Sequence, residues 1–179
     1  MKHKLPSILR HPLSWVTARC ERRRAVTPAW ALRFLTERGF DPQPDADGNL
    51  LFRVNSMKYV LHLSERYFEL HVGFARKRTE LNEEVMARVA QEVMVSTRMV
   101  KIHLRPDALL FSIECLQHRR SEFAEFFDAY IRILRYSVTE HTRRYNEAAE
   151  ELRQQMRRRE EEEELTRRFA LYRDKDVVN

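Results

Sequence analysis

The stretch of sequence richest in metal-ligand side chains is YVLHLSERYFELHV, residues 59–72, which holds His62, Glu69 and His71. Two histidines and one carboxylate are the ligand set of non-haem iron sites. Alternating apolar residues predict that this stretch is a tight β-hairpin. Such a hairpin puts His62 opposite Glu69 with His71 as a diagonal neighbour, a spacing at which these side chains could in principle grip a metal ion.

All three side chains fall on the sheet face that points away from the apolar residues. Metal sites that do chemistry are normally supported by hydrogen-bonded neighbours and a sheltered cavity. The predicted face instead carries charged and polar residues throughout, as a solvated sheet surface does; its other members are Arg53, Lys101, His103 and Glu114. We therefore interpret the cluster as solvated surface, and predict neither a metal site nor a cofactor.

The remaining residues that could support catalysis do not form a recognisable site. Cys115 and His118 have CxxH spacing, but the second ligand pair of a zinc site is missing. The serines and threonines read as caps, turn residues or strand residues, and no nucleophile, base and orienting acid come together. Phosphate-binding loops need glycine, and the chain has only three. The sequence therefore predicts a protein that is not an enzyme.

The net charge of +6 is concentrated in the first 24 residues. This arm has seven basic residues against Glu21 alone, so the rest of the chain is charge-balanced. A basic arm attracts nucleic acid by releasing counterions, without specifying a sequence. A disordered soluble arm is an equal alternative, and a mitochondrial presequence is another, although Pro6 and Pro12 would interrupt its amphipathic helix. The residues predicted to make weak nucleic-acid contact are Arg19, Arg22, Arg23 and Arg24.

Cysteine usage and hydropathy indicate the compartment. Cys20 and Cys115 are far apart and neither belongs to a CxxC pair, which favours a reducing environment. No run approaches the ~18 apolar residues that a membrane-spanning helix needs. Arg10 and His11 interrupt the apolar residues near the start before a secretory signal could form. We expect a cytoplasmic protein without a membrane partner.

Hydrophobic periodicity predicts an α+β domain with one antiparallel-rich sheet of five strands and helices on one face. Thr27, Pro28 and Gly39 are typical of the cap, first turn and end of a short helix. Asn82 is the expected cap of the second helix. The predicted order is helix 28–38, strands 50–54, 59–64 and 67–74, helix 82–97, strands 99–104 and 109–115, and a long helix from 121.

Matching apolar residues across neighbouring strands predicts their register. Between the first two strands, a four-residue loop NSMK pairs Val54 with Tyr59. Between the next two, a two-residue turn at 65–66 pairs Leu63 with Phe68. Glu and Arg are poor residues for a type I′ turn, so a longer loop or a bulge is the alternative at this turn.

The last helix changes character along its length. Its apolar stripe is broad from Ser121 and thins beyond Arg143, where opposite charges recur four residues apart. Apolar spacing continues for barely two heptads, too few to predict a coiled coil, through Tyr145, Ala149, Leu152 and Met156. Such pairs contribute only ~0.2–0.5 kcal/mol each, yet can keep a solvated helix formed. We divide the chain into a basic arm, 1–24, an α+β domain, 25–145, and a charged helical tail, 146–179.

This order of elements over residues 27 to about 145 resembles the type III secretion chaperone-like fold and its YbjN-like bacterial relatives. The resemblance rests on topology and hydrophobic register, and it implies a small, often dimeric, bacterial cytoplasmic protein that binds another polypeptide along sheet and helix surfaces. Secretion chaperones are acidic and end soon after the last helix, whereas this chain has a basic arm and a long charged tail. A generic chaperone-like module is therefore the expectation, without a dedicated secretion role.

Three functional hypotheses follow: a chaperone-like protein-binding module, a nucleic-acid-associated protein that uses the arm, and, least favoured, a metal-dependent enzyme. For the first, we predict a homodimer formed through helix 82–97 or the sheet edges, with the tail assisting. The helix has more apolar surface than one packed stripe requires, and methionine suits adaptable contacts. The predicted partner-binding residues are Met86, Met94 and Val95, which could alternatively fill the domain's own core.

Overall fold

The computed structural model describes residues 25–76, 80–116 and 119–176, without the side chains of 80–82 and 170–176. The basic arm, with Arg19, Arg22, Arg23 and Arg24, lies outside the described residues, as does His118. Predictions that concern those residues stay predictions.

Three helices and six strands follow one another along the described chain. The predicted α+β class is confirmed, but the predicted count of five strands is wrong. The order is α1 (Pro28–Glu37), β1 (Gln43–Pro44), β2 (Leu50–Val54), β3 (Met57–Leu63), β4 (Tyr67–Ala75), α2 (Glu80–Thr97), β5 (Lys101–Leu104), β6 (Ala108–Leu116) and α3 (Arg120–Asp176).

The six strands form one antiparallel sheet in the order β1-β2-β3-β4-β6-β5. The strand that the sequence does not reveal is β1, which has two residues, one of them Pro44. Helix α2 begins at Glu80, so the predicted start at Asn82 is two residues late. No helix within the described ranges is both long and apolar enough to cross a bilayer.

The register between β2 and β3 differs from the prediction by two residues. Phe52 pairs with Tyr59 and Val54 with Met57, so the loop consists of Asn55 and Ser56 alone. Both loop residues have positive φ, 47° and 69°, as a type I′ turn requires. The register between β3 and β4 is as predicted, with Leu63 opposite Phe68.

The core lies between the inner face of the sheet and the three helices. Thr27 caps α1 by accepting a hydrogen bond from the Trp30 backbone nitrogen. An aromatic cluster then joins α1, the sheet and the first turns of α3. Its members are Trp30, Phe34, Phe40, Phe52, Phe68, Phe123 and Phe127, with neighbouring ring centroids 5.1–6.0 Å apart.

Helix α3 is 57 residues long, which corresponds to about 85 Å at 1.5 Å per residue. Its first half packs on the core, and Tyr145, Ala148 and Leu152 still lie against it. Every described side chain from Arg153 through Phe169 is exposed. Ion pairs along one side of the helix include Glu163–Arg167 and Glu164–Arg168. The second half of α3 is therefore a solvated extension of a packed helix.

Candidate partner-binding site

The outer face of the sheet, the side not covered by helices, carries the residues that could have bound a metal. His62 lies opposite Glu69, as predicted. The His62 Nδ1 is 2.7 Å from the Asn49 side-chain oxygen, and the His71 Nδ1 is 3.6 Å from a Glu69 carboxylate oxygen. Among the described residues, no three histidine, cysteine or acidic side chains are grouped so that they could hold a metal ion.

The pKa of His71 depends on the side chains packed around it. Partial burial lowers the pKa of its imidazole, although the neighbouring Glu69 carboxylate opposes that shift. Ser112, its cross-strand neighbour on β6, is fully buried although it lies on the outer face. Its hydroxyl is 3.3 Å from the His103 Nε2. The middle of this face is thus a layer of packed polar side chains, in which the His71 Nδ1 is buried without a hydrogen-bond partner among the described residues.

Cys115 does not have the properties of a reactive nucleophile. It lies on the inner face of β6 opposite Phe68, and its side chain is half-buried against the core. Burial raises the pKa of its thiol, while a hydrogen bond with Tyr130 acts in the opposite direction. A thiol with a raised pKa is a poor nucleophile at neutral pH.

Both edge strands of the sheet are short. On one edge, β1 has only two residues, and Pro44 has no backbone N–H to offer an incoming strand. On the other edge, β5 has four residues, and the Met94 sulfur lies 3.3 Å from the Ile102 backbone nitrogen. Short edges with covered donors resist pairing with another chain. Beyond these strands, residues 52–54 of β2 and 113–116 of β6 have no outer neighbour among the described strands, so self-association through the edges stays a prediction.

The three residues predicted to bind a partner are separated by the fold. Met86 is 9% exposed, and its sulfur lies 3.2 Å from the Arg76 guanidinium. Met94 packs against the core and covers the β5 edge. Val95, in the last turn of α2, is 73% exposed. Of the three residues, only Val95 is well placed to contact another molecule.

A groove with an apolar floor opens where α3 begins to extend beyond α2. Its volume is about 480 Å³. Val85 of α2 and Ala148, Leu152 and Met156 of α3 supply the apolar lining. The charged and polar residues around them are Glu84, Arg88, Glu151, Gln155 and Arg159. We call this the α2–α3 groove.

The same face of α3 continues beyond the α2–α3 groove. There, an open and nearly flat surface of the solvated helix is lined by Arg159, Glu162, Glu163, Thr166 and Arg167. Arg159 also lines the groove. The periodicity of the sequence predicts part of the groove lining, because Leu152 and Met156 continue the apolar stripe of the helix into the tail. It does not predict that Val85 of α2 completes the groove.

Known proteins show similarity to this chain in fold alone. No protein-family model matches the sequence, and no curated protein matches it significantly. Among solved structures, YbjN from E. coli, described as a candidate transcription regulator, is similar with a TM-score of 0.55 and 11% sequence identity. The match covers 65% of this chain and 92% of YbjN. The YbjN-like fold expected from the order of elements is thereby confirmed.

Proposed function

We propose that this chain is a non-enzymatic, chaperone-like protein-binding module, and that its binding site is the α2–α3 groove. The occupant is an amphipathic helix of another polypeptide, with its apolar side against Val85, Leu152 and Met156. The observation that carries the proposal is this apolar-floored, charge-rimmed groove at the point where a packed helix becomes solvated.

The composition of the groove matches the way proteins bind helices. Helix-in-groove recognition uses apolar anchors at helical spacing, which enter a hydrophobic channel. Here the channel floor is apolar, and both signs of charge stand at the rim, Glu84 and Glu151 against Arg88 and Arg159. Mixed rim charges favour one orientation of the incoming helix over the other.

The fold supports a binding role over a catalytic one. Two histidines of the outer face, His62 and His103, lie within hydrogen-bond distance of Asn49 and Ser112, and the thiol of Cys115 is half-buried. YbjN, a solved structure with this fold, is described as a candidate regulator. A regulator and a chaperone-like module both act by binding other macromolecules.

Site-specific photo-crosslinking in cells tests this proposal. A benzoylphenylalanine replaces Gln155, an exposed residue of the groove, in the full-length chain. The control probe replaces Arg132, which is exposed elsewhere on α3. We expect an adduct with a polypeptide from position 155 and none from position 132.

A blocking substitution shows whether the adduct depends on the groove. Met156→Glu puts a carboxylate into the apolar lining at a side chain that is already 39% exposed, so the fold should persist. Circular dichroism checks that it does. Loss of the adduct in Met156→Glu supports the groove as the site. Equal adducts from both probe positions, or none from either, would overturn the proposal.

A further inference from the structure

A buried histidine lies on the face of α3 that continues into the α2–α3 groove. His141, Tyr145, Ala148 and Leu152 follow at intervals of four, three and four residues, so they share one face of the helix. Tyr145 packs against the core, and Ala148 and Leu152 line the groove. At the rise of an α-helix, His141 lies about 10 Å along the axis from Ala148.

Three elements of the fold enclose the His141 ring. Its centroid is 5.5 Å from that of Phe111 on β6 and 6.3 Å from that of Tyr145 on α3 itself. From α2, the backbone of Met86 interacts with the ring. His141 is 3% exposed, and its Nε2 has no hydrogen-bond partner among the described residues. The neutral ring fits this position, because a buried imidazolium would lack the partners that compensate a charge.

The charged groups on the elements packed against the ring keep their charge in mild acid. Arginines and carboxylates stay ionised between pH 7.5 and 5.5. In β6, which is described throughout, the residues of the inner face are uncharged. The charged side chains that the structure places beside α2 and α3 are Arg76 with Glu83, Arg144 with Glu92 and Glu140, and the groove-rim residues Glu84 and Arg88. Among these described groups, the His141 imidazole is therefore the one that titrates in that range.

The same part of α2 covers His141 and forms one wall of the groove. Met86 is 9% exposed, and its backbone interacts with the His141 ring, while its neighbour Val85 lines the groove. If α2 and α3 separate here, water reaches the ring and Val85 leaves the groove lining. Protonation of His141 and a complete groove therefore exclude each other.

We infer that His141 is a pH-sensitive switch for the α2–α3 groove: uptake of a proton by its ring separates the first turns of α2 from α3, and the groove then loses its occupant. This inference rests on the proposed function of the groove and names its regulation. Burial lowers the pKa of His141 in the closed form, whereas a solvated imidazole has a pKa of about 6.5. The closed form is therefore stable above that value, and the open form gains as the pH falls below it.

Oxidation of methionine by hydrogen peroxide measures this opening in the full-length protein, since a thioether reacts when the reagent can reach it. Met86 reports on the contact with α3, and Met94, near the other end of α2, is the internal control. From pH 7.5 to 5.5, we expect Met86 to oxidise faster by up to about tenfold, because pH 5.5 is about one unit below the pKa of a solvated imidazole. Met94 should not follow this rise. Mass spectrometry of peptides resolves the two sulfoxides.

Two variants identify the responsible histidine. His141→Phe keeps an aromatic ring between Phe111 and Tyr145 and cannot take up a proton, so Met86 should then oxidise at the same rate at both pH values. His71→Gln is the matched control, because it removes another imidazole whose pKa burial lowers, and it should leave the response of Met86 unchanged. Circular dichroism at pH 7.5 checks that both variants fold. If Met86 and Met94 of the wild type respond equally to acid, or neither responds, the inference is wrong even without the variants.

Photo-crosslinking from position 155 separates failure of this inference from failure of the proposed function. In cells whose internal pH is set to 7.5 or 5.5 with an ionophore, we expect the adduct to decrease in acid in the wild type and to decrease less in His141→Phe. An undiminished adduct in acid overturns the switch and leaves the groove as the binding site. If no adduct forms at either pH while Met86 responds as expected, the proposed function is wrong, and the proton-linked opening of α2 from α3 is supported.

Discussion

The sulfur of Met94 lies 3.3 Å from the backbone nitrogen of Ile102, and so joins the end of α2 to the outermost strand of the sheet. In the register of the hairpin, Ile102 pairs with Phe111 on its inner side. The contact therefore covers a donor on the side of β5 where another strand could add. Met94, which the sequence analysis predicts to bind a partner, instead covers a backbone donor of the edge strand β5.

Shortening Met94 should both destabilise the domain and open this edge. We expect Met94→Ala to lower the free energy of unfolding by about 2 kcal/mol, through lost packing, and to increase β-aggregation through the uncovered donor. Urea unfolding and thioflavin T fluorescence measure the two effects. Val95→Ala is the matched control, since Val95 is 73% exposed, and should change stability by about 0.5 kcal/mol or less. Equal effects of Met94→Ala and Val95→Ala would contradict the conclusion that Met94 stabilises the domain and covers the β5 edge.

The turn between β2 and β3 should be improved by glycine. Ser56 has φ of 69°, a conformation that glycine adopts without the steric cost of a Cβ atom. We expect Ser56→Gly to raise the free energy of unfolding by about 0.5–1 kcal/mol in thermal or urea unfolding.

Ser64, in the next turn, provides the contrast. Its hydroxyl accepts hydrogen bonds from the backbone nitrogens of Arg66 and Tyr67. Ser64→Gly should therefore destabilise the protein. If Ser56→Gly also destabilises the protein, Ser56 does not have a positive φ in solution, and the two-residue turn described here is wrong.

The register error at this hairpin shows what an alternating pattern can determine. Moving β2 by two residues along β3 keeps every apolar side chain on the same face, so Phe52 can match Tyr59 or Leu61 equally well by pattern alone. The geometry of the turn decides between them, and Asn-Ser without glycine is a weak turn signal. At the next hairpin, the alternation alone predicts the pairing of Leu63 with Phe68, although Glu65 and Arg66 are poor residues for a type I′ turn.

Arg76 should be important for stability although it lies at the end of a strand. Its guanidinium bonds to the Glu83 carboxylate at 2.7 Å and to the Arg105 carbonyl oxygen at 2.7 Å, and its side chain is 7% exposed. It thus joins β4, α2 and the turn between β5 and β6. We expect Arg76→Ala to cost about 2–3 kcal/mol in urea unfolding, because buried charge-assisted bonds are lost.

Arg66 offers a control for that substitution, since its side chain is exposed in a turn. Arg66→Ala should change the free energy of unfolding by about 0.5 kcal/mol or less. A similar loss in both variants would mean that the Arg76 contacts contribute nothing specific.

Stability should fall in mild acid because of His141. This side chain is 3% exposed, lies between the rings of Phe111 and Tyr145, and has a buried Nε2 without a hydrogen-bond partner in the described structure. Burial lowers the pKa of its imidazole, although a hydrogen bond with the Met86 backbone acts in the opposite direction. Below about pH 6.5, the unfolded chain therefore binds a proton that the folded chain does not, and unfolding becomes easier.

The substitution that isolates this effect is His141→Phe, which keeps an aromatic ring and cannot titrate. Urea unfolding at pH 7.5, 6.5 and 5.5 should show the wild type losing more stability than the variant as the pH falls. The residual loss in the variant includes the contribution of His71, whose pKa is also lowered. If the free energies of unfolding of the two proteins fall equally with pH, His141 has the same pKa in the folded and unfolded chain, and the prediction is wrong.

The candidate site was less predictable than the fold for a physical reason. Helix periodicity identifies which residues of α3 share a face, and it placed Leu152 and Met156 together. The groove exists only because Val85 of α2 lies against that face, and a contact between elements distant in sequence leaves no local signature. The same limit applies to Met86, whose burial depends on Arg76 and the packing of α3.

The central claim is that the α2–α3 groove holds a helix of another polypeptide. Photo-crosslinking from position 155 in cells, in the otherwise wild-type chain and in chains that also carry Met156→Glu or Arg132→Glu, tests it most directly. Met156 lines the groove, whereas Arg132 is exposed elsewhere on α3. We predict the same adduct for the wild type and for Arg132→Glu, and loss of the adduct for Met156→Glu. An adduct of equal yield in all three proteins would contradict the account.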